Sequence, residues 1–181
     1  MEIAVEIDEK FYDAEQFVEL FFERIQTPNQ FYIRALLVKA KYIAYSGHKA
    51  EKKGEAMINV LKDAIVEINK ALDLIAGVQE NNPKGGKEAK SEGNSKSKYS
   101  FLIYNASTCL YKITRFFLRQ NWMKNFSDVY ERIYKLLEEV DEPDQNWRCR
   151  FTLVLFECLY DNDKKQDAFK ILDLLWERAK K

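Results

Sequence analysis

Proline and glycine are scarce in this chain, which holds three prolines and six glycines in 181 residues. Both residues disfavour helix interiors, and the chain is rich in Leu, Lys, Glu and Ala, so its composition favours helix throughout. The apolar fraction of 46% is ordinary for a folded protein. At this length we expect one all-α domain or a short array of helical repeats.

Cysteine and histidine are also few. The cysteines, Cys109, Cys149 and Cys158, are odd in number and form no Cys-x-x-Cys pair, which excludes the usual disulfide and zinc patterns. They fall in apolar helical segments, where cysteine packs as a small core residue. The single histidine, His48, follows Gly47 and has no nucleophile motif beside it, so it is interpreted as a solvated loop residue. We therefore expect that the protein is not an enzyme and that it binds neither a metal ion nor a cofactor.

Net charge is lacking as well, since 29 basic residues balance 29 acidic ones. With no net charge, the protein has no overall electrostatic field that would favour the binding of nucleic acid. No apolar run reaches the roughly 18 residues of a membrane helix. The acidic start, "MEIAVEIDEK", has no signal-peptide pattern. These features predict an intracellular chain with neither nucleic acid nor membrane as its partner.

The charge is nevertheless uneven along the chain. Residues 1–23 hold eight acidic side chains against one lysine, and residues 112–135 hold six basic against two acidic. Solvated faces explain such runs most simply. The alternative is a partner contact through the basic residues Arg115, Arg119 and Lys124.

Apolar spacing of three and four residues predicts seven helices and no strand. Thr27 and Pro28 are predicted to open the second helix, and Gly47 to end it. The predicted helices cover about 12–25, 28–46, 54–77, 98–119, 122–140, 143–161 and 164–180.

Residues 78–98 divide the predicted helices into two groups. They contain three glycines, one proline, and five lysines against three glutamates. A segment of this composition buries too little apolar surface to offset the conformational entropy that it would lose on ordering. It is therefore predicted to be a flexible loop. Residues 1–77 and 99–181 are then the two parts of one stacked array.

The helical pairs are typical of a tetratricopeptide-like α-solenoid, in which antiparallel hairpins stack. A helix between two neighbours needs two apolar sides. The sixth predicted helix has a second apolar side in Leu153, Phe156 and Tyr160. Aligning Ala168 with the small residue of the repeat puts Asp163, instead of glycine, at the turn.

Three stretches resemble one family: "QFYIRALLVKAKYIA" (30–44), "YSFLIYNAST" with "RFFLR" (99–119), and "NWRCRFTLVLFECLYDNDKKQDA" (146–168). They are similar to the N-terminal helical-repeat region of cilia- and flagella-associated protein forty-six, a very large subunit of the axonemal central apparatus. The similarity covers roughly 30–172. Phe116 and Gln120-Asn121 stand where the family has a proline and a Pro-Gly stop. The matching residues are Phe101, Leu102, Tyr104, Asn105, Ala106, Ser107, Arg115, Phe117, Leu118, Trp147, Arg148, Cys158 and Ala168.

The resemblance implies a non-catalytic scaffold of the motile-cilium axoneme, in the cytoskeleton. Its partners would be other central-apparatus proteins in a large hetero-complex, with microtubule-associated proteins among the candidates. Asn105, Trp147 and Cys158 would be structural. The alternative function is a free-standing cytosolic adaptor that binds peptide segments, in which a groove-facing Asn105 would clamp the peptide.

The last predicted helix points to a partner surface. Its inward residues are Ala168, Ile171, Leu172, Leu175 and Ala179, which leaves Phe169, Leu174 and Trp176 pointing elsewhere. Exposed aromatic residues often anchor interfaces. We therefore expect Phe169 and Trp176 to contact another protein, the alternative being that Trp176 folds back on Leu172.

Overall fold

The computed structural model describes residues 11–77, 98–118 and 121–180, and these form seven α-helices with no strand. The all-α expectation is confirmed. Most of the predicted loop at 78–98 lies outside the described residues. The helices are α1 (Phe11–Arg24), α2 (Gln30–Lys49), α3 (Gly54–Ala76), α4 (Leu102–Thr114), α5 (Ser127–Glu139), α6 (Gln145–Asp161) and α7 (Lys165–Ala179), with 3-10 segments at Arg115–Phe117 and Met123–Phe126.

The first turn of α2 is capped by Asn29. Its side-chain oxygen accepts hydrogen bonds from the backbone N–H groups of Phe31 at 2.8 Å and Tyr32 at 3.0 Å. Free N–H groups at a helix start need such acceptors. The prediction that Thr27 caps this helix was therefore wrong, because an asparagine two residues later makes both bonds.

The prediction that Gly47 ends α2 was wrong, because Gly47 lies buried within the helix. A Cβ atom at this position would lie 2.9 Å from both the sulfur of Met57 and Cγ1 of Val60, on α3. The residue is glycine because the two helices approach closely there. His48 is consequently helical and half-buried, with its ring 5.1 Å from that of Phe116.

We predict that Gly47→Ala destabilises the protein by about 1–3 kcal/mol, because Val60 is branched and cannot move its methyl group away. Alanine usually stabilises a helix interior relative to glycine, so the expected effect here is the opposite of the usual one. Urea unfolding followed by circular dichroism measures the difference. Val60→Ala makes room for the new methyl group. The double variant should therefore lose less stability than the sum of the losses of the two single variants. A stabilised Gly47→Ala protein would contradict the close approach.

Consecutive helices pack together along the array, and two of the helices also pack on the second helix along. Contacts join α2 to α3 and α4, and α3 to α4 and α5. One cluster of buried side chains runs from Ile33 in α2 to Ala168 in α7, while α1 joins through a smaller cluster around Val18. This is the packing of stacked helical hairpins, and it confirms the solenoid-like array.

The array has two layers that differ in chemistry. In the first layer, α2, α4 and α6 are joined by the Cys109 thiol, 3.4 Å from the Leu37 carbonyl, and by Trp147, which donates to Ser107 at 2.8 Å. In the second layer, α3, α5 and α7 are joined by charged side chains. There Arg132 donates to Asn69 at 3.1 Å and Arg178 donates to Glu138 at 2.6 Å.

Four connections between helices each contain one non-glycine residue with left-handed backbone. These are Glu51 (φ 52°), Asn121 (φ 70°), Asp141 (φ 51°) and Asp163 (φ 56°). Asparagine and aspartate tolerate this conformation better than other side chains. Asp163 and Asn121 thus supply the turn at the two positions where the repeat and the family have glycine.

Glu51 is the least suited of these four residues, since its longer side chain gains nothing in the left-handed region. We predict that Glu51→Gly raises the free energy of unfolding by up to about 1 kcal/mol, because glycine removes the Cβ clash. Glu51→Ala removes the same charge and keeps the Cβ, so it should bring no gain. Equal melting temperatures for the glycine and alanine variants would argue against strain at this turn.

Candidate protein-interaction site

Two of the residues expected to be structural lie between helices. Trp147 donates from its ring nitrogen to Ser107, and its ring meets Tyr111 edge to face with centroids 5.3 Å apart. Cys158 is fully buried, and this burial raises the pKa of its thiol well above the ordinary value. A thiol so far from ionisation is unreactive, so the Cys158 side chain serves as packing.

Glu138 of α5 holds α6 and α7 in place. Its carboxylate accepts from Arg148 of α6 at 3.0 Å and from both terminal nitrogens of Arg178 of α7. The Arg148 guanidinium is nearly buried, and it also donates to Asp141 at 2.9 Å and to the Glu142 carbonyl at 3.1 Å. Burial alone would raise the pKa of Glu138, but the hydrogen bonds from the two arginines outweigh it and lower the pKa. We call these five residues the Glu138 network.

We predict that Glu138→Gln lowers the free energy of unfolding by about 2 kcal/mol at pH 7, because it leaves the buried Arg148 charge poorly compensated. A carboxyl with a lowered folded-state pKa contributes stability above its ordinary pKa of 4.5, and this is lost as the pH falls through the folded-state value. The difference in the free energy of unfolding between the unchanged protein and Glu138→Gln, which we call the gap, should therefore be largest at pH 7 and shrink below pH 4.5.

Urea unfolding at several pH values measures this gap. Glu139→Gln is the matched control, since Glu139 is the exposed neighbour on the same helix turn. A gap that stays constant down to pH 3 would show that the carboxylate charge contributes nothing.

An apolar surface lies along α6 and α7. We call it the α6–α7 surface and define it as Leu153, Phe156, Tyr160, Phe169 and Trp176. The Phe156 ring lies 5.8 Å from Tyr160 and 6.1 Å from Phe169, so aromatic rings continue from one helix to the other. Leu153 is 48% exposed, Phe169 52% and Trp176 65%. The second apolar side of α6, predicted to pack inside the array, is therefore largely open in the described structure.

Leu174 does not belong to this surface, although it is equally exposed. Phe169 and Trp176 are seven residues apart, which places them on one flank of α7. Leu174 is five residues from Phe169, or about 140° around the helix. The sequence predicted that all three side chains point away from the core, and the helix geometry separates Leu174 from the two aromatic residues.

The candidate basic residues lie elsewhere, on the connection between α4 and α5. The Arg115 guanidinium stacks on the exposed ring of Phe116, 4.9 Å from its centroid. Lys124 is exposed within the second 3-10 segment. Arg119 lies outside the described residues. Phe116, which departs from the family pattern, thus provides an aromatic platform for Arg115.

A groove at the start of α4 was not anticipated from the sequence. It has a volume of about 480 Å3, and it lies between the first turn of α4 and the connection from α5 to α6. We call it the α4 groove. Its lining residues are Ser100, Phe101, Tyr104, Asn105, Val140, Glu142, Pro143 and Asp144.

Asn105 lines this groove instead of lying in the core. Its side chain is half-buried, and its backbone carbonyl accepts from Thr108 at 3.0 Å. The partial burial agrees with the structural role that the resemblance implies. Within the described part of the chain, however, the Asn105 amide has no hydrogen-bond partner. The residue resembled a core amide in the sequence because its helix is apolar on most sides.

No family model matches the chain. Across residues 11–77, 98–118 and 121–180, no helix is both long and apolar enough to cross a membrane. The same residues contain no group of three or more histidine, cysteine or acidic side chains that could hold a metal ion.

Proposed function

We propose that this protein is a non-catalytic scaffold that binds another protein through the α6–α7 surface. The observation that carries the proposal is the exposure of Trp176 and Phe169 on one flank of α7, beside the aromatic residues of α6. Large exposed aromatic side chains, arranged contiguously, are characteristic of interface anchors.

The stacking principle of the array indicates the kind of partner. Helices α2 to α6 each pack against at least two other helices, whereas Leu153 and Tyr160 of α6 are exposed in the part of the chain that the structure describes. A helix of another protein, laid along α6 and α7, would continue the same packing. Lys165 above the Tyr160 ring and Lys180 above the Trp176 ring would supply the polar rim.

The resemblance to the ciliary family supports the setting of this contact. Its matching residues include Trp147, Arg148 and Cys158, which the structure places at packing positions between helices. We therefore propose the axonemal central apparatus as the assembly and its other subunits as the partners. Under the alternative proposal, a cytosolic peptide-binding adaptor, the α4 groove would be the binding site, and its half-buried Asn105 favours that role.

The experiment follows an epitope-tagged chain in a cell that builds motile flagella. We expect the chain to remain with detergent-extracted axonemes, and to be lost from axonemes that lack the central apparatus. The variant Phe169→Ser/Trp176→Ser should pass into the detergent extract. Its melting temperature should stay close to that of the unchanged protein, because both side chains are exposed.

Leu174→Ser is the matched control, since it removes an equally exposed apolar side chain from the other flank of α7. It should remain with the axonemes. If the double variant remains with the axonemes, the contact does not lie on the α6–α7 surface. Extraction of the unchanged protein would reject the axonemal setting and favour the adaptor.

A further inference from the structure

We propose that the α4 groove is a second interaction site, which receives an arginine- or lysine-bearing segment of a partner protein. It shares no residue with the α6–α7 surface, so the two proposals can fail separately. The groove has apolar walls, a carboxylate rim and an amide that has no hydrogen-bond partner among the described residues, and each of these features matches one part of such a segment.

The apolar walls can pack against the planar guanidinium group or the aliphatic stem of a basic side chain. Phe101 is 58% exposed, although it directly precedes α4. Tyr104, one turn further on, and Pro143, across the groove, present further apolar area. Cations bind favourably over aromatic rings, and arginine does so most often.

The rim carries two carboxylates that form no salt bridge with the described residues. Glu142 and Asp144 lie on the same side of the groove, and within the described residues neither forms a salt bridge. Tyr104 donates its hydroxyl to Asp144 at 3.3 Å, and burial together with these two carboxylates raises the pKa of that hydroxyl. The groove thus presents a negatively charged rim, without salt bridges to the described residues, against aromatic walls.

The geometry of the rim is fixed before any ligand arrives. Asp144 caps α6, and its second carboxylate oxygen accepts from the backbone N–H of Trp147 at 2.9 Å. Glu142 accepts from the Asp144 N–H at 3.2 Å. A basic group therefore meets positioned carboxylates and loses little free energy in ordering them. The Asn105 amide on the opposite wall is available to a peptide backbone.

The charge complementarity selects this occupant over others. An acidic segment would be repelled by two carboxylates, and a wholly apolar segment would bury them without partners, which is costly. A basic side chain satisfies the walls and the rim together, with its stem on Phe101 and its charge toward Asp144.

The test uses the full chain and a capped pentapeptide, acetyl-Gly-Ser-Arg-Ser-Gly-amide, followed by amide NMR shifts. Versions with lysine, citrulline or glutamate replace the arginine. We expect saturable shifts at residues 100–105 and 140–144 with arginine and lysine. Citrulline, which keeps the shape of arginine without its charge, should bind about fivefold more weakly or worse, and glutamate should not bind.

The rim is tested by Glu142→Gln/Asp144→Asn. Asparagine caps a helix as well as aspartate does, and glutamine keeps the acceptor oxygen, so the fold should survive while both charges are lost. Binding of the arginine peptide should weaken about fivefold or more. Glu19→Gln/Asp63→Asn removes two exposed charges from α1 and α3 and should leave binding unchanged. Phe101→Ser tests the wall independently and should also weaken binding.

Three results would overturn the proposal. One is the absence of shifts at peptide concentrations of about 10 mM, where even very weak sites become occupied. Another is equal binding by the citrulline peptide or by the rim variant. The third concerns the chain's own lysines: tighter binding after residues 79–96 are replaced by a Gly/Ser linker would show that this segment, and not a partner, fills the groove.

Discussion

The Glu138 network is the constraint on which the far end of the array depends. Burying the Arg148 guanidinium between helices is costly unless its charge and its donors are satisfied, and carboxylate and carbonyl groups at the end of α5 satisfy most of them. The same Glu138 carboxylate also holds Arg178. One acidic side chain therefore links α5 to both α6 and α7, the two helices that carry the α6–α7 surface.

The two layers of the array respond differently to solution conditions. Between the helices of the first layer, Cys109 and Trp147 make buried or half-buried contacts that salt screens little. Charged pairs connect the second layer, among them Arg132 with Asp73 and Lys164, the residue before α7, with Glu131 at 2.8 Å, and these pairs are partly exposed. Salt weakens exposed pairs. The second layer is thus the one in which ionic strength and pH adjust the stacking.

The sequence predicted the helices well, because periodic apolar positions such as those of α3 are local signals. It failed where a residue's role depends on a distant partner. Gly47 has the signature of a helix end, and only the approach of Val60 shows that it is a contact point. The second apolar side of α6 indicated a buried helix, since sequence pattern cannot distinguish a covered side from an open one. The α4 groove combines segments about 40 residues apart, and no local pattern connects Phe101 with Asp144.

The two proposed sites meet on α6. Its first residues adjoin the Asp144 cap that forms the rim of the α4 groove, and its second half carries Leu153 and Tyr160 of the α6–α7 surface. Trp147 and Arg148 lie between them, and both are fixed by hydrogen bonds to neighbouring helices. Coupling between two sites needs an element with two arrangements that both ligands bias, and these hydrogen bonds hold α6 in one arrangement. Occupying the α4 groove is therefore expected to leave the affinity of the α6–α7 surface unchanged, as the proposed scaffold function requires.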